Sequence, residues 1–109
     1  MSRNASFKEL RDLLDAVDRR YHMAKDGYQF DFTTEISPFL DENKERVAQI
    51  GTIDTDFRFN PVTRQKMVEE FMELLMACHE KRFSVKLYKE KYKFINMWLA
   101  HVEREGLIE

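Results

Sequence analysis

The side chains best suited to bind a metal or act as a nucleophile are His22, Cys78, His79 and His101. A di-iron carboxylate centre in a helical protein needs Glu-x-x-His pairs, because residues three apart on a helix project together. The residues three before His22, His79 and His101 are Arg19, Met76 and Trp98, so the pattern is missing. His22 and His79 each fall near the end of a helical pattern and could be neighbours, which would supply two zinc ligands. Two solvated histidines near helix C-termini, where positive charge is favoured, are the simpler reading. Cys78 and His79 are adjacent, so on a helix they point about 100° apart and do not form a nucleophile–base pair. Asp54-x-Asp56 fails as a calcium loop: Arg58, Phe59 and Gln65 stand where a ligand, a glycine and a bidentate glutamate are required. Gly-rich phosphate loops and Gly-x-Ser-x-Gly elbows do not occur. No cofactor or metal is expected, and enzyme activity is disfavoured.

Charge carries a second kind of chemistry. Residues 79–93 hold six basic side chains (Lys81, Arg82, Lys86, Lys89, Lys91, Lys93) against Glu80 and Glu90, a net of +4. The whole chain has a formal charge of −2, so the remainder carries −6. Arg82, Lys86, Lys89 and Lys93 follow i+4, i+3, i+4 steps and would make one ridge on a continuous helix. Such a ridge is either a docking strip for an acidic partner or a solvated face balancing acids on neighbouring helices. Binding to nucleic acid is disfavoured, because the rest of the surface would repel phosphate.

These residues must be positioned by helices. The chain has 109 residues, 43% hydrophobic and 35% charged, with nine Phe but only three Gly and two Pro. That describes one folded domain over 1–109, with no apolar run near the ~20 residues that span a bilayer. The lone Cys78 and the absence of a signal-like start point to a reducing, cytoplasmic setting. Ser6-x-x-Glu9 is a capping box, and Phe7, Leu10, Leu13, Leu14, Val17, Tyr21 and Ala24 then draw one stripe, a first helix over about 6–26. Gly27 can close it in a left-handed conformation. Asp31 caps a second helix over about 31–50, whose apolar face keeps phase across Pro38 and implies a bend there, with Gly51 ending it. Phe57 and Phe59, in the connection 51–60, are expected to fold over the end of the core. Asn60-Pro61 opens a third helix over 61–81, and Ser84 a fourth over 84–106. In the third, Met67, Met72 and Met76 read first as core filling and secondly as an adaptable surface. Short links then predict an all-α, antiparallel up-down-up-down four-helix bundle. The 1–2 and 3–4 connections would lie at one end and the 51–60 loop at the other.

Two segments carry a resemblance. Tyr28-Gln29-Phe30-Asp31-Phe32, continuing through Ile36, Pro38, Glu42 and Asn43, resembles the Tyr-x-Phe-Asp-Phe…Ile-x-Pro…Glu-Asn stretch of the YppE-like family. His79-x-Lys81-Arg82-Phe83 resembles that family's basic turn before its last helix, although Cys78 and Glu80 depart from it. The resemblance implies a four-helix bundle and a cytoplasmic protein of Bacillus-type bacteria, with no activity assigned.

The function expected from these readings is a non-enzymatic protein-interaction or adaptor module, acting as a monomer or weak homodimer. It would meet an unidentified, acidic protein partner through the His79–Lys93 strip or through the end formed by 28–32 and 79–83. The candidate patch comprises Tyr28, Asp31, His79, Lys81, Arg82, Lys86, Lys89 and Lys93. Asp31 is expected to pair with Arg82 or Lys81 as well as to cap its helix. The alternative is a small-ligand or metal-binding bundle working as a sensor or enzyme.

Overall fold

Ser6 sets the start of the first helix in the computed structural model, which describes residues 4–109. Its hydroxyl accepts a hydrogen bond from the Glu9 backbone N–H at 3.4 Å, and helix α1 runs Phe7–Lys25. Leu10, Leu13, Leu14, Val17, Tyr21 and Ala24 are buried, the stripe that the i+3 and i+4 spacing predicts. Gly27 leaves the helix at φ +106°, and the Tyr28 N–H returns to the Met23 carbonyl at 2.9 Å, closing the end as a left-handed glycine cap does.

The second helical run differs from the expected bent helix. A π-helical turn, Phe32–Ile36, leads into helix α2, Ser37–Ala48, and a 3-10 turn, Gln49–Thr52, follows. Proline removes a backbone donor and crowds the carbonyl four residues earlier. The wider π turn absorbs this ahead of Pro38, which then sits in the first turn of α2, where its missing donor costs nothing. Gly51 lies inside the 3-10 turn, so it does not itself end the run.

Helix α3 spans Pro61–Ala77, with the Asn60 side-chain oxygen accepting from the Thr63 N–H at 2.8 Å. It stops short of residue 81 for a reason no local pattern reports. The Lys25 ammonium donates to the carbonyls of Lys81 at 2.7 Å and Phe83 at 2.5 Å, and His79 turns inward among aromatic rings. Helix α4, Val85–Arg104, is capped by Ser84, whose hydroxyl accepts from the Leu87 N–H, and it closes at Gly106, φ +70°. No strand occurs among the described residues, and none of their helices is long and apolar enough to cross a membrane.

α1 packs on α2 and α4, and α3 packs on the same two helices. One buried apolar cluster joins all four, with Leu14, Phe59, Phe71, Leu75, Ile95 and Leu99 at its centre. Met67 is fully buried, Met72 half-buried and Met76 exposed, so the methionines of α3 mostly fill core. The two phenylalanines of the long connection part company. Asp56 accepts from the N–H groups of Arg58 and Phe59 at 2.9 and 2.6 Å, while its own N–H bonds the Phe59 carbonyl. That tight turn sends Phe59 inward beside Trp98 and leaves Phe57 at the apex, 98% exposed, against the expectation that both would fold back.

Residues 28–32 and 79–83 do meet at one end: the rings of Phe30 and His79 lie 4.8 Å apart. Elsewhere the long connection joins the chain termini, with Ala5 N–H bonding the Thr52 hydroxyl and Asp54 N–H the Leu107 carbonyl.

Candidate functional site

At the end shared by 28–32 and 79–83, the organising cation is Arg20, a residue that sequence patterns did not single out. It sits on the outer edge of the α1 stripe, and its guanidinium lies 4.1 Å above the Phe39 ring and 5.2 Å from Phe30. One guanidinium nitrogen donates to the Glu35 carbonyl at 3.3 Å and lies 2.9 Å from His79 Nε2. Arginine has no acceptor, so Nε2 must accept, and the ring proton then sits on Nδ1, 3.3 Å from the Met76 carbonyl. Burial and the Arg20 charge both hold the His79 pKa below its ordinary value. His79 is therefore a neutral, structural imidazole wedged between a cation and two aromatic edges.

Cys78 lies closer to His79 than neighbouring positions on a helix suggest: Sγ is 3.6 Å from Nδ1 and 3.9 Å from Nε2. Near-equal distances place the sulfur off the in-plane axis of either nitrogen. Both nitrogens are already committed, and burial pushes the thiol pKa up to about 12. The pair lacks the thiolate that nucleophilic catalysis requires.

The carboxylates at this end are equally committed. Asp31 accepts from the Thr34 N–H at 2.8 Å and hydroxyl at 2.9 Å, which keeps its pKa low. Glu35 accepts from the Tyr28 hydroxyl at 2.7 Å and the Asp31 N–H at 3.0 Å, with the same consequence. Tyr28 and Asp31 thus join through Glu35. The expected pairing of Asp31 with Arg82 or Lys81 is not formed: Asp31 has no ion pair among the described residues. Its oxygens are used locally by the π turn. The basic side that closes this end is Lys25, which bonds carbonyls of the 78–84 turn.

A second buried histidine stands at the far end. His101 Nε2 lies 2.8 Å from Asp56 Oδ2, and its ring meets Trp98 edge-on. The Phe59 N–H first, then the His101 bond and the Arg58 N–H, hold the Asp56 pKa down against its desolvation. The Trp98 indole N–H beside it is buried with no partner among the described residues. Among the described residues, no group of three or more His, Cys, Asp or Glu side chains is placed to hold a metal ion.

Helix α4 divides its lysines between two environments. Lys91 is 15% exposed and bridges Glu70 and Glu73 of α3. Burial would lower its pKa, but hydrogen bonds to the two glutamates outweigh that and raise it. Lys86, Lys89 and Lys93 face outward, and Arg82 precedes them in the turn. Within the described residues none of these four forms an ion pair or side-chain hydrogen bond, and neither does the Lys81 ammonium. Exposed Met97 continues the ridge one turn beyond Lys93.

The bacterial domain of unknown function DUF1798 matches residues 7–105. The chain belongs to that family. No curated protein and no solved structure matches it. The DUF1798 match runs from the first residue of α1 to just past α4, so it takes in both histidine ends and the basic ridge. Of the site residues expected in this DUF1798 chain, Tyr28, Asp31 and His79 gather at one end, while Lys86, Lys89 and Lys93 share the outer face of α4. Sequence reasoning missed Arg20 and Glu35, weighed Asp56 only as a calcium ligand, and gave Trp98 no site role. Only Asp56 left a local signal, an Asp followed by two backbone donors in an Asx-type turn.

Proposed function

We propose that this chain is a non-enzymatic interaction module whose docking face is the basic ridge Arg82–Lys86–Lys89–Lys93 on and before α4, and that its partner is acidic. The observation that carries this reading is the contrast within one helix. Lys91 is neutralised by Glu70 and Glu73, whereas the four ridge cations are exposed and, among the described residues, unpaired. Glu90, four residues after Lys86 and three before Lys93, shares this face, yet four cations outnumber it, and an excess of exposed positive charge favours an acidic surface. The end built from 28–32 and 79–83 is the weaker choice, because its polar groups bond one another.

The same reading takes the helices as an antiparallel up-down-up-down bundle in a single domain. Supporting it, α1 and α3 each pack on α2 and α4, and the short connections meet at one end. It also takes the chain as YppE-like and cytoplasmic, from a Bacillus-type bacterium, on the strength of the Tyr28–Asn43 and His79–Phe83 segments. The buried, unpaired Cys78 suits a reducing compartment. The ligand- or metal-binding alternative draws no support from the space between the helices, which Leu, Ile, Phe and Met side chains fill.

The test is a fluorescence-anisotropy titration of a labelled Glu-rich peptide, at low and moderate salt. Binding that weakens with salt and falls at least ten-fold in Lys86→Glu/Lys89→Glu/Lys93→Glu supports the ridge. Equal binding by wild type and variant, or none by either, overturns it. A DNA duplex that binds more tightly than the peptide would also overturn it.

A further inference from the structure

This chain carries a groove with acidic residues of its own. A groove of about 300 Å³ opens between α1 and α2, with Leu13, Ala16 and Phe39 among its lining residues and Asp12 and Glu42 at its edge. Glu42 is exposed and has no ion pair among the described residues, and Glu45, three positions further along α2, is in the same state. Among the described residues Asp12 pairs with the exposed Lys8 alone, a pairing worth little in water. Glu9 and Arg46, an ion pair at 3.9 Å, line the groove as well, so it presents an apolar floor with three carboxylates and one guanidinium around it. The ridge of α4 presents the converse: Lys86, Lys89 and Lys93, then Met97, which is 55% exposed. Methionine is flexible and unbranched, and it fills irregular apolar slots well.

We propose that the α4 ridge of one molecule docks in the α1–α2 groove of a second copy, Met97 entering the groove and the lysines meeting Asp12, Glu42 and Glu45. This rests on the ridge being the docking face and names its acidic partner as another copy of this chain. Ridge and groove are different surfaces, and docked in one direction only they make a heterologous contact that leaves one of each open on every pair. Copies then add head to tail, and the assembly grows with concentration and does not stop at a closed dimer. One helix in one groove is a small interface, so the association is weak and salt-sensitive.

Sedimentation velocity over a concentration series, at low and moderate salt, tests this with two surface variants whose folding is checked by circular dichroism. One is Lys89→Ala/Lys93→Ala/Met97→Ala, which strips the ridge. The other is Ala16→Lys/Glu42→Gln, which fills the groove and removes acid. Wild type should sediment faster as concentration rises, and salt should abolish the effect. Each variant alone should stay monomeric, while their equimolar mixture should form a heterodimer that grows no further, since each supplies the surface the other lacks. A wild type that stays monomeric overturns the proposal, as do variants that associate like wild type or a mixture that does not pair. If that monomeric wild type still binds the Glu-rich peptide through its ridge, only the choice of partner falls. If it binds neither, the docking face falls as well.

Discussion

The end around His79 and the outer face of α4 are both rich in polar and charged groups, yet they differ in where those groups direct their bonds. At the His79 end, Arg20, Glu35, Asp31, Tyr28 and Lys25 satisfy one another or nearby carbonyls. On α4 the lysines of the ridge are exposed with no partner among the described residues, while Lys91, on the same helix, is tied to α3. A group that bonds within its own chain stabilises the fold; a group without a partner is open to another molecule. The contrast gives the end a structural part and leaves the ridge as the proposed docking face.

The most severe way to break that contrast is Arg20→Ala. It removes the cation from the Phe39 ring and leaves His79 Nε2 and the Glu35 carbonyl without their donor, so stability should fall by about 2–3 kcal/mol in urea unfolding. Arg20→Lys should recover only part of this, because an ammonium cannot stack its plane on Phe39 and serve both acceptors. A loss under about 0.5 kcal/mol would show that the end is not structural.

Acid should act on the same site. The His79 pKa is depressed in the folded state, so below the ordinary value of 6.5 the unfolded chain takes up the proton more readily. The His79 contribution to stability is complete above that pH and declines as pH drops through 6.5 toward the folded-state pKa. His79→Gln keeps an acceptor for Arg20 and does not titrate. Chemical denaturation between about pH 7.5 and 5.5 should therefore show a smaller loss for the variant than for wild type. Asp56 supplies the internal contrast. Its depressed pKa makes its contribution persist above about 3.8 and fade only as pH falls through the folded value, so the far end should hold where the His79 end has weakened.

Lys91→Met sharpens the comparison within α4. Breaking a half-buried bridge to two glutamates should cost about 1 kcal/mol, partly offset by the methionine's apolar contacts. The smallest effect belongs to Lys86→Ala/Lys89→Ala/Lys93→Ala, whose unfolding midpoint should stay within about 0.5 kcal/mol of wild type. A ridge variant as damaging as Lys91→Met would mean that those lysines hold the fold.

Much of this architecture was legible in the residues. Ser6, Asp31, Asn60 and Ser84 each cap a helical segment, and Gly27 adopts the positive φ its position suggested. Capping and periodicity are local, so a single sequence reports them. The early end of α3, the π turn ahead of Pro38 and the outward Phe57 all depend on contacts between distant segments or on turn geometry. Lys25 reaching the Lys81 carbonyl illustrates the gap, because 56 positions separate the partners. The shared face of Lys86, Lys89 and Lys93 could be read from spacing alone, whereas Arg82 lies in the turn before α4 and not on a continuous helix. That Lys91 would be neutralised and its neighbours left free required the position of Glu70 and Glu73 on α3.

Amide chemical-shift mapping by NMR, with the Glu-rich peptide titrated into labelled protein at low salt, tests the division of labour most directly. The largest shifts should fall on residues 82–97 along the ridge, with Tyr28, Asp31 and Glu35 unmoved. Shifts centred on 28–35 and His79, with the ridge silent, would contradict it.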